Sequence, residues 1–443
     1  MTVEPRKDSD SRMPQRERLN VLIVASMCHP DRGSEPGLGW KWSTQIARHH
    51  DVTVIVGEYE GNRAAIAREL AADAQLASAM KFEFVPWFEV SQGRWQQAFA
   101  SVYQPLYYTW YERWMRQAQR VAEGLLASGR KFDLTHQLTM IGFREPGFLW
   151  QLPMPFVWGP VGGTQNVPWR LLPALGPLEG TRHGCRNVIN EWQKRRHRRS
   201  KEAFQRAAAI IAVASDTQQE IRRHHDVESR VIAAALCEPG HARSRVRIPH
   251  DGPTRFVFTG LHLSRKGLPF ALRALARLPR DTAWTLDVMG AGPLSESWTG
   301  LAARFGLTDR ITFHGYAPRE KLMEVLNSGD AYLFPSLLEG WPAAIAEALT
   351  LGLPVITTDL HGMRDMVTEE CGRLVPATSS AVLIDGFAEA CAEFARSPGL
   401  VERLSRGALR RAEVFGPDVQ VPLILETYEA ALAGAQPWPS VRT

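Results

Sequence analysis

The chain has 443 residues, more than one hydrophobic core usually accommodates, so we expect two domains. Hydrophobic residues make up 44% of it, which excludes a disordered composition, and no apolar run approaches the roughly 18 residues of a membrane span. The formal net charge is +5, and the five cysteines lack CxxC spacing, which argues against a disulfide framework or a zinc site and fits a reducing cytosol.

The first part of the chain predicts a doubly wound α/β domain. Residues 1–18 are polar, carry no apolar signal-peptide core and are expected to be a disordered tail. The apolar run LNVLIVASM (19–27) suits a strand buried on both faces, and a glycine-containing loop, a helix and the strand DVTVIVG follow it. Later strands are predicted at FDLTHQL, PFVWGPVGG and AIIAVAS, which gives a Rossmann-like domain over 19–240.

An aromatic segment interrupts this alternation. Residues 87–115 hold ten aromatic side chains. They either belong to helices that pack aromatic rings into a core, or form an acceptor-binding or membrane-facing wall.

The strand–helix pattern starts again near residue 254. TRFVFTG predicts a strand, LHLSRKG a loop and LPFALRALARL a helix, and further strands are predicted at AWTLDVMG, RITFHGY, AYLFPS and LPVITTD. We therefore expect a second Rossmann-like domain over 241–415, joined through a segment at 234–254 that is rich in proline, glycine and charge. Residues 416–443 contain a last helix that could pack on either domain, the first included.

Two glutamates lie on either side of a predicted helix start in LFPSLLEGWPAAIAEALTLGLPVITTD. A predicted strand ends just before Glu339, and Glu347 falls within the first two turns of the helix that Pro342 can begin. In doubly wound sheets, ligands bind outside the carboxyl ends of the strands. The free N–H groups of a helix start suit a phosphate, whereas carboxylates accept hydrogen bonds from hydroxyls. Hydroxyls beside phosphate describe a sugar nucleotide.

This stretch resembles the E-x7-E motif of retaining glycosyltransferases of family 4, which have the GT-B fold. The segments FTGLHLSRKG, DVMGAGP, RITFHGY, LFPSLLEGWP, EALTLGLPVITTD and GRLVPA occur in the family's order and approximate spacing. RGSEPGLGW and PFVWGPVGG extend a looser match toward residue 19. The resemblance implies two Rossmann-like domains that face each other across a cleft, with the acceptor on the first and the nucleotide sugar on the second.

The resemblance also implies roles for residues around the two glutamates. Glu339 would accept hydrogen bonds from the donor sugar, and Glu347 would hold the ribose. The backbone N–H groups of Trp341 and Ala343 would line the sugar pocket, next to Gly340.

Two cations are expected to act on the leaving diphosphate. By resemblance, Arg265 and Lys266 of LSRKG stabilise its negative charge, close to Gly260. The family commonly has an arginine directly after this glycine, where the present chain has Leu261, so Arg265 is expected to compensate. The cations would replace a metal, and we expect neither an obligatory metal nor another cofactor.

First-domain candidates come from the looser part of the match. Gly33 would let the backbone approach the diphosphate. Glu35 follows at a position that is often acidic in the family, although capping of the next helix explains it equally well. Gly162 and Gly163 would let a loop come close to the cleft.

A histidine near the reacting carbon is common in the family. The aligned position here is Leu138, and His136 lies two residues earlier. His136 is therefore a candidate catalytic residue, with a hydrogen-bonded core histidine as the alternative.

Residues 182–206 form a basic segment with nine Lys/Arg and two Asp/Glu, hence a charge of +7. It is either a solvated helix, or a surface for anionic lipid or for the diphosphate of an acceptor, since each basic residue near an anionic membrane contributes about 1 kcal/mol. A nucleic-acid-binding role is also conceivable. The segment carries no recognised nucleic-acid motif, so we expect no nucleic-acid partner.

The sequence thus predicts a cytoplasmic, retaining hexosyltransferase that moves a sugar from a nucleotide diphosphate sugar to an acceptor hydroxyl. A lipid-linked saccharide acceptor, at the inner face of the membrane, would place it in surface polysaccharide or glycoconjugate synthesis. The alternative is a GT-B sugar-nucleotide epimerase, which shares the two-domain layout but is not expected to carry the E-x7-E context.

Overall fold

The computed structural model describes residues 18–59, 61–87, 100–237 and 244–434, with side chains from residue 108 onward in the helix that begins at residue 100. Residues 1–17 of the predicted tail, 88–99 of the aromatic segment and 238–243 of the predicted link lie outside the described residues.

The first domain is built on seven parallel strands. They are β1 (Asn20–Ala25), β2 (Asp51–Glu58), β3 (Met80–Pro86), β4 (Leu134–Thr139), β5 (Phe156–Val161), β6 (Ala209–Ala212) and β7 (Arg230–Val231). Their order in the sheet is β3-β2-β1-β4-β5-β6-β7. All residues of β1 except Asn20 are buried, which is why this strand reads as a continuous apolar run.

Seven helices accompany this sheet in the described residues. They are α1 (Ser34–Ala47), α2 (Asn62–Ala72), α3 (Ala74–Ala79), α4 (Ala100–Ala127), α5 (Pro177–Arg196), α6 (Arg198–Arg206) and α7 (Ser215–His225). The basic segment therefore forms α5 and α6, and the second half of the aromatic segment lies in α4. Tyr111 and Trp114 of α4 are buried in a core cluster, as the core interpretation predicted for this part of the segment.

The second domain repeats the design with six parallel strands in the order β10-β9-β8-β11-β12-β13. The strands are β8 (Thr254–Thr259), β9 (Trp284–Met289), β10 (Ile311–Gly315), β11 (Ala331–Phe334), β12 (Val355–Thr358) and β13 (Gly372–Val375). The helices are α8 (Leu268–Leu275), α9 (Ser295–Arg304), α10 (Arg319–Ser328), α11 (Ala343–Thr350), α12 (His361–Met366), α13 (Ser380–Arg396) and α14 (Pro398–Val414). Two parallel-sheet, Rossmann-like domains confirm the predicted fold class.

The last helix, α15 (Pro417–Leu432), packs on the first domain. Ile424 and Tyr428 are fully buried in the same hydrophobic cluster as Val21 and Trp42. The chain thus returns to its first domain after completing the second. None of the helices in the described ranges is long and apolar enough to cross a membrane.

Polar contacts join the two domains on both sides of a cleft. The Ser215 N–H and Oγ at the start of α7 donate to the Asp365 carboxylate, each at 2.6 Å. His361 Nδ1 lies 2.8 Å from Asp216 Oδ2. At the other end, His183 Nε2 of α5 lies 3.0 Å from Ser264 Oγ in the loop after β8. The fold therefore holds the carboxyl ends of the two sheets toward each other.

Candidate functional site

A cleft of about 1460 Å³ lies between the domains. Its walls come from residues that follow strand ends on both sides, among them Ile141, Gly162, Gly163, Arg265, Glu339 and Gly340. Helix α5 supplies a further wall. This is the position at which doubly wound sheets bind ligands, because loops at the carboxyl ends of parallel strands converge there.

The predicted catalytic residues of the second domain meet in one hydrogen-bonded cluster. Glu339 Oε1 accepts from Lys266 Nζ at 2.6 Å, from Arg265 Nη1 at 3.1 Å and from Ser336 Oγ at 2.9 Å. The side chains of Lys266 and Glu339 are only 13% and 14% exposed, so the ion pair is screened weakly by solvent. No hydrogen bond within the described ranges reaches Glu339 Oε2, which is available for a hydroxyl donor.

Two glycines fix the turn that carries these cations. Gly267 has φ of +68°, and a Cβ added there would lie 2.0 Å from the carbonyl oxygen of Pro335. Gly260 has φ of +147°, and an added Cβ would lie 3.5 Å from Lys266 Cε. A side chain at either position would strain the backbone, and at Gly267 it would also push the turn away from the loop that carries Glu339. Leu261 is 59% exposed, whereas Arg265 donates to the Glu339 carboxylate.

The start of α11 borders the same space. Gly340 and Trp341 line the cleft, and a Cβ added at Gly340 would lie 3.4 Å from Val213 of the first domain. Backbone hydrogen bonding within the described residues does not engage the N–H groups of Trp341 and Ala343. Two N–H groups at a helix start are therefore free to bind oxygen atoms of a ligand.

Glu347 lies further along α11 and does not join the cluster around Glu339. Its Oε1 accepts from Arg319 Nη1 at 3.1 Å, and the Glu347 side chain is 30% exposed. A ligand hydroxyl would have to displace or share this arginine.

The glycine loop of the first domain has free space around Gly33. Gly33 is exposed, and a Cβ added there would meet no atom within 4 Å. Glu35 Oε1 accepts from the Ile141 N–H at 2.8 Å, which ties the start of α1 to the loop after β4. Burial raises the pKa of Glu35.

His136 lies in the core of the first domain and is fully buried. Its Nδ1 lies 2.7 Å from the Tyr428 hydroxyl and its Nε2 lies 2.7 Å from the Gly159 carbonyl oxygen. Burial lowers the pKa of His136 to about 4, so the ring is neutral at pH 7. His136 is not among the residues that line the cleft, and its geometry fits a hydrogen-bonded core histidine. Leu138 is also buried.

The basic segment divides into three groups of cations. Lys194 is buried, and its ammonium lies between Glu191 and Glu220. Arg182 and Arg186 line the cleft, as does Arg199, which pairs with Glu112. A third group is exposed and comprises Arg195, Arg196, Arg198, Lys201 and Arg206.

A potential metal-ligating group coincides with the buried lysine. Glu191, Glu220 and His224 bring side-chain ligand atoms within 4.8 Å of one another. The Lys194 ammonium contacts both carboxylates, so these residues already bind a cation of the chain itself. None of these three residues is among those that line the cleft.

Arg144 and Glu145 of the cleft wall were not predicted from the sequence. Glu145 is only 3% exposed, and burial raises its pKa to about 7. Both residues occur in IGFREPG, directly after β4. Polar residues just beyond a buried parallel strand are a signal for the ligand-binding edge, and this signal could have identified them.

Residues 242–409 match the model of the family Glycosyl transferases group 1. This group 1 match contains every strand of the second sheet. The chain is similar to 2-deoxystreptamine glucosyltransferase of Streptomyces kanamyceticus, with 27% identity over 212 residues, which cover 47% of this chain and 53% of that protein. The chain spans about half the length of the curated relatives it matches.

Two solved structures show the same fold over nearly the whole chain. Sucrose-phosphate synthase from Thermosynechococcus elongatus has a TM-score of 0.63 at 15% identity, covering 94% of this chain and 100% of that chain. HepE from Anabaena, in complex with UDP and glucose, has a TM-score of 0.58 at 14% identity, covering 93% of this chain and 100% of that chain. The predicted GT-B fold is thereby confirmed.

Proposed function

We propose that this protein is a retaining glycosyltransferase of family 4 that moves a sugar from a nucleotide diphosphate sugar to an acceptor hydroxyl. The observation that carries the proposal is the convergence of Arg265 and Lys266 on Glu339, beside the open start of α11. Cations and free N–H groups suit a diphosphate, and a carboxylate beside them suits sugar hydroxyls. The group 1 match over this domain supports the same activity.

In this mechanism, the acceptor hydroxyl attacks from the side of the leaving diphosphate. The bond between the anomeric carbon and the diphosphate breaks, the new glycosidic bond forms on the same face, and a phosphate oxygen takes the acceptor proton. Arg265 and Lys266 stabilise the charge that develops on the diphosphate. Because both cations are already held in place, we propose that no metal is obligatory. Activity should therefore survive EDTA, and its loss, with recovery in magnesium or manganese, would contradict this.

A thermal-shift screen tests the donor site directly. The protein is heated with UDP, GDP, ADP and dTDP sugars in turn, because a ligand that binds the folded state raises the melting temperature. We expect at least one donor to raise it, and a flat response to all four would contradict the proposal. Incubating that donor without acceptor then distinguishes an epimerase, which would convert it to a different nucleotide sugar.

We further propose that α5 docks on an anionic membrane surface and that the acceptor is a lipid-linked saccharide. Val188 and Trp192 lie one helical turn apart on α5, do not line the cleft and are 59% and 63% exposed. Arg195 and Arg196 follow on the same helix and are exposed. An apolar stripe with basic residues beside it is typical of helices that lie in the membrane interface.

Liposome sedimentation tests the docking surface. The variant Arg195→Gln, Arg196→Gln, Arg198→Gln should be released from anionic liposomes, and wild-type binding should weaken as salt rises. Lys194 is left unchanged because it is buried in an ion pair. The matched control replaces three exposed arginines of the second domain, Arg280, Arg304 and Arg410, with glutamine. Equal sedimentation of both variants and the wild type would rule out docking through the exposed arginines at the end of α5 and the start of α6.

A further inference from the structure

Two arginines of the first domain face the cleft without a carboxylate partner. Arg144 donates to the side-chain oxygens of Asn190 and Gln193, and Arg186 donates to the Gln165 carbonyl oxygen at 3.1 Å. In the described part of the chain, the hydrogen bonds of both guanidiniums thus go to amide or carbonyl oxygens and none goes to a carboxylate. Arg116 and Arg199 of the cleft, by contrast, are both paired with Glu112.

Helix α5 holds the guanidinium groups of Arg144 and Arg186 on the same side of the cleft. Arg186, Asn190 and Gln193 are separated by four and three residues, so they share a face of α5. Arg144 is bound to the latter two and therefore lies against that face. A Cβ added at Gly163, another lining residue, would lie 3.7 Å from Arg144 Nη1.

The surroundings do not neutralise this charge. Burial lowers the pKa of both arginines, and that of Arg186 is lowered further by the nearby charges of Arg144 and Arg265. Glu145 is the acidic neighbour of Arg144, but burial raises its pKa to about 7, so it is only partly charged at neutral pH. Half-buried like charges repel each other, and an anion in the cleft would relieve that repulsion.

We propose that Arg144 and Arg186 form a second anion subsite, which binds a phosphate group of the acceptor. A phosphate carries several oxygens around one centre, so it can accept from two guanidinium forks at once and neutralise both charges. The inference rests on the proposed glycosyl transfer, because that reaction defines the acceptor. The subsite is separate from the Arg265–Lys266 pair and lies on the first-domain wall of the cleft.

Calorimetric titration with two phosphate probes tests the subsite. Glucose 1-phosphate represents a soluble acceptor phosphate, and farnesyl phosphate represents a lipid-linked one. Arg186→Gln and Arg144→Gln should each weaken binding of the preferred probe about tenfold to hundredfold. Arg120→Gln, an exposed first-domain control, and Lys266→Ala, in the donor site, should change it less than about threefold. Weaker binding in both arginine variants supports the subsite. The probe that binds the wild type more tightly than the other identifies the source of the phosphate.

Two results would overturn the inference. One is that neither probe binds the wild type. The other is that Lys266→Ala abolishes binding whereas Arg186→Gln leaves it intact, because the phosphate would then occupy the donor site. If Arg144→Gln does not fold, Arg186→Gln decides, because among the described residues the Arg186 side chain has one hydrogen bond to lose, the bond to the Gln165 carbonyl oxygen. Failure of the probes while a nucleotide sugar still binds would reject the subsite and leave the proposed function intact.

Discussion

Lys266 Nζ lies 2.6 Å from Glu339 Oε1, although 73 positions separate the two residues in the chain. Arg265 donates to the same oxygen, so two cations are fixed around one carboxylate before a ligand binds. Groups that are already oriented need not reorganise when charge develops in a reaction. This relationship joins the loop after β8 to the loop that leads into α11.

Lys266→Ala should lower kcat by about 100-fold or more, as the removal of one preorganised donor typically does. The leaving diphosphate would lose a fixed positive charge when its own charge increases. Steady-state kinetics with the identified donor checks this. Lys321→Ala is the control, because Lys321 is paired with Glu324 on the surface of α10 and should leave kcat unchanged.

Glu339→Ala should affect turnover and the choice of sugar more than affinity for the free nucleoside diphosphate. The substitution removes the acceptor for sugar hydroxyls but leaves Arg265 and Lys266 unpaired, so diphosphate affinity should stay the same or rise. Calorimetry with the donor and with the free nucleoside diphosphate separates the two effects. An equal loss of affinity for both ligands would show that the assignment is wrong.

Glu347→Ala should weaken binding of the donor by about tenfold to a hundredfold, because a hydrogen bond to a charged group contributes roughly 1.5–3 kcal/mol. The ribose would lose its carboxylate acceptor. Glu324→Ala on the neighbouring helix provides a control for the change of charge. Donor affinity that is unchanged in calorimetry would reject a ribose role and leave Glu347 as the partner of Arg319.

Glu145→Gln should change the pH dependence of stability. Burial raises the pKa of Glu145 to about 7 in the folded protein. The stability that the protonated Glu145 carboxyl contributes is therefore fully present below its ordinary pKa near 4.5 and is lost as pH rises through 7. Glutamine does not ionise and avoids this loss. The variant should gain up to about 3 kcal/mol over wild type at pH 8 and almost nothing at pH 4.5.

Denaturant unfolding at the two pH values measures this difference. Glu389→Gln, at an exposed position of α13, should show a similar stability difference from wild type at both pH values. A Glu145→Gln variant whose advantage does not grow with pH would show that the carboxyl is not held protonated by burial.

The second domain could be predicted well because its signals are local. Each buried parallel strand appears as a short apolar run, and the position of Glu339 follows from the strand that ends before it and the helix that begins after it. The bond between Lys266 and Glu339 is a long-range contact, but both residues occupy loops at the carboxyl edge of one sheet. The order of strands and loops in the sequence was therefore enough to predict that Lys266 and Glu339 lie near each other.

The first-domain residues depend on contacts that no local pattern encodes. His136 is hydrogen-bonded to Tyr428, which lies 292 positions later in a helix that returns to the first domain. The sequence left its role open for that reason. Arg144 lies at the cleft because α5 supplies Asn190 and Gln193, and the charge of the basic segment did not reveal which cations face inward.

Hydrogen–deuterium exchange of the full chain, with and without the identified nucleotide sugar, tests the central claim most directly. If the donor binds at the second-domain edge of the cleft, amides in 260–267 and 336–347 should be protected on binding. Protection should include the N–H groups of Trp341 and Ala343, which have no backbone partner among the described residues. A donor that binds but leaves these two segments unprotected, or protects the first domain alone, would contradict the account.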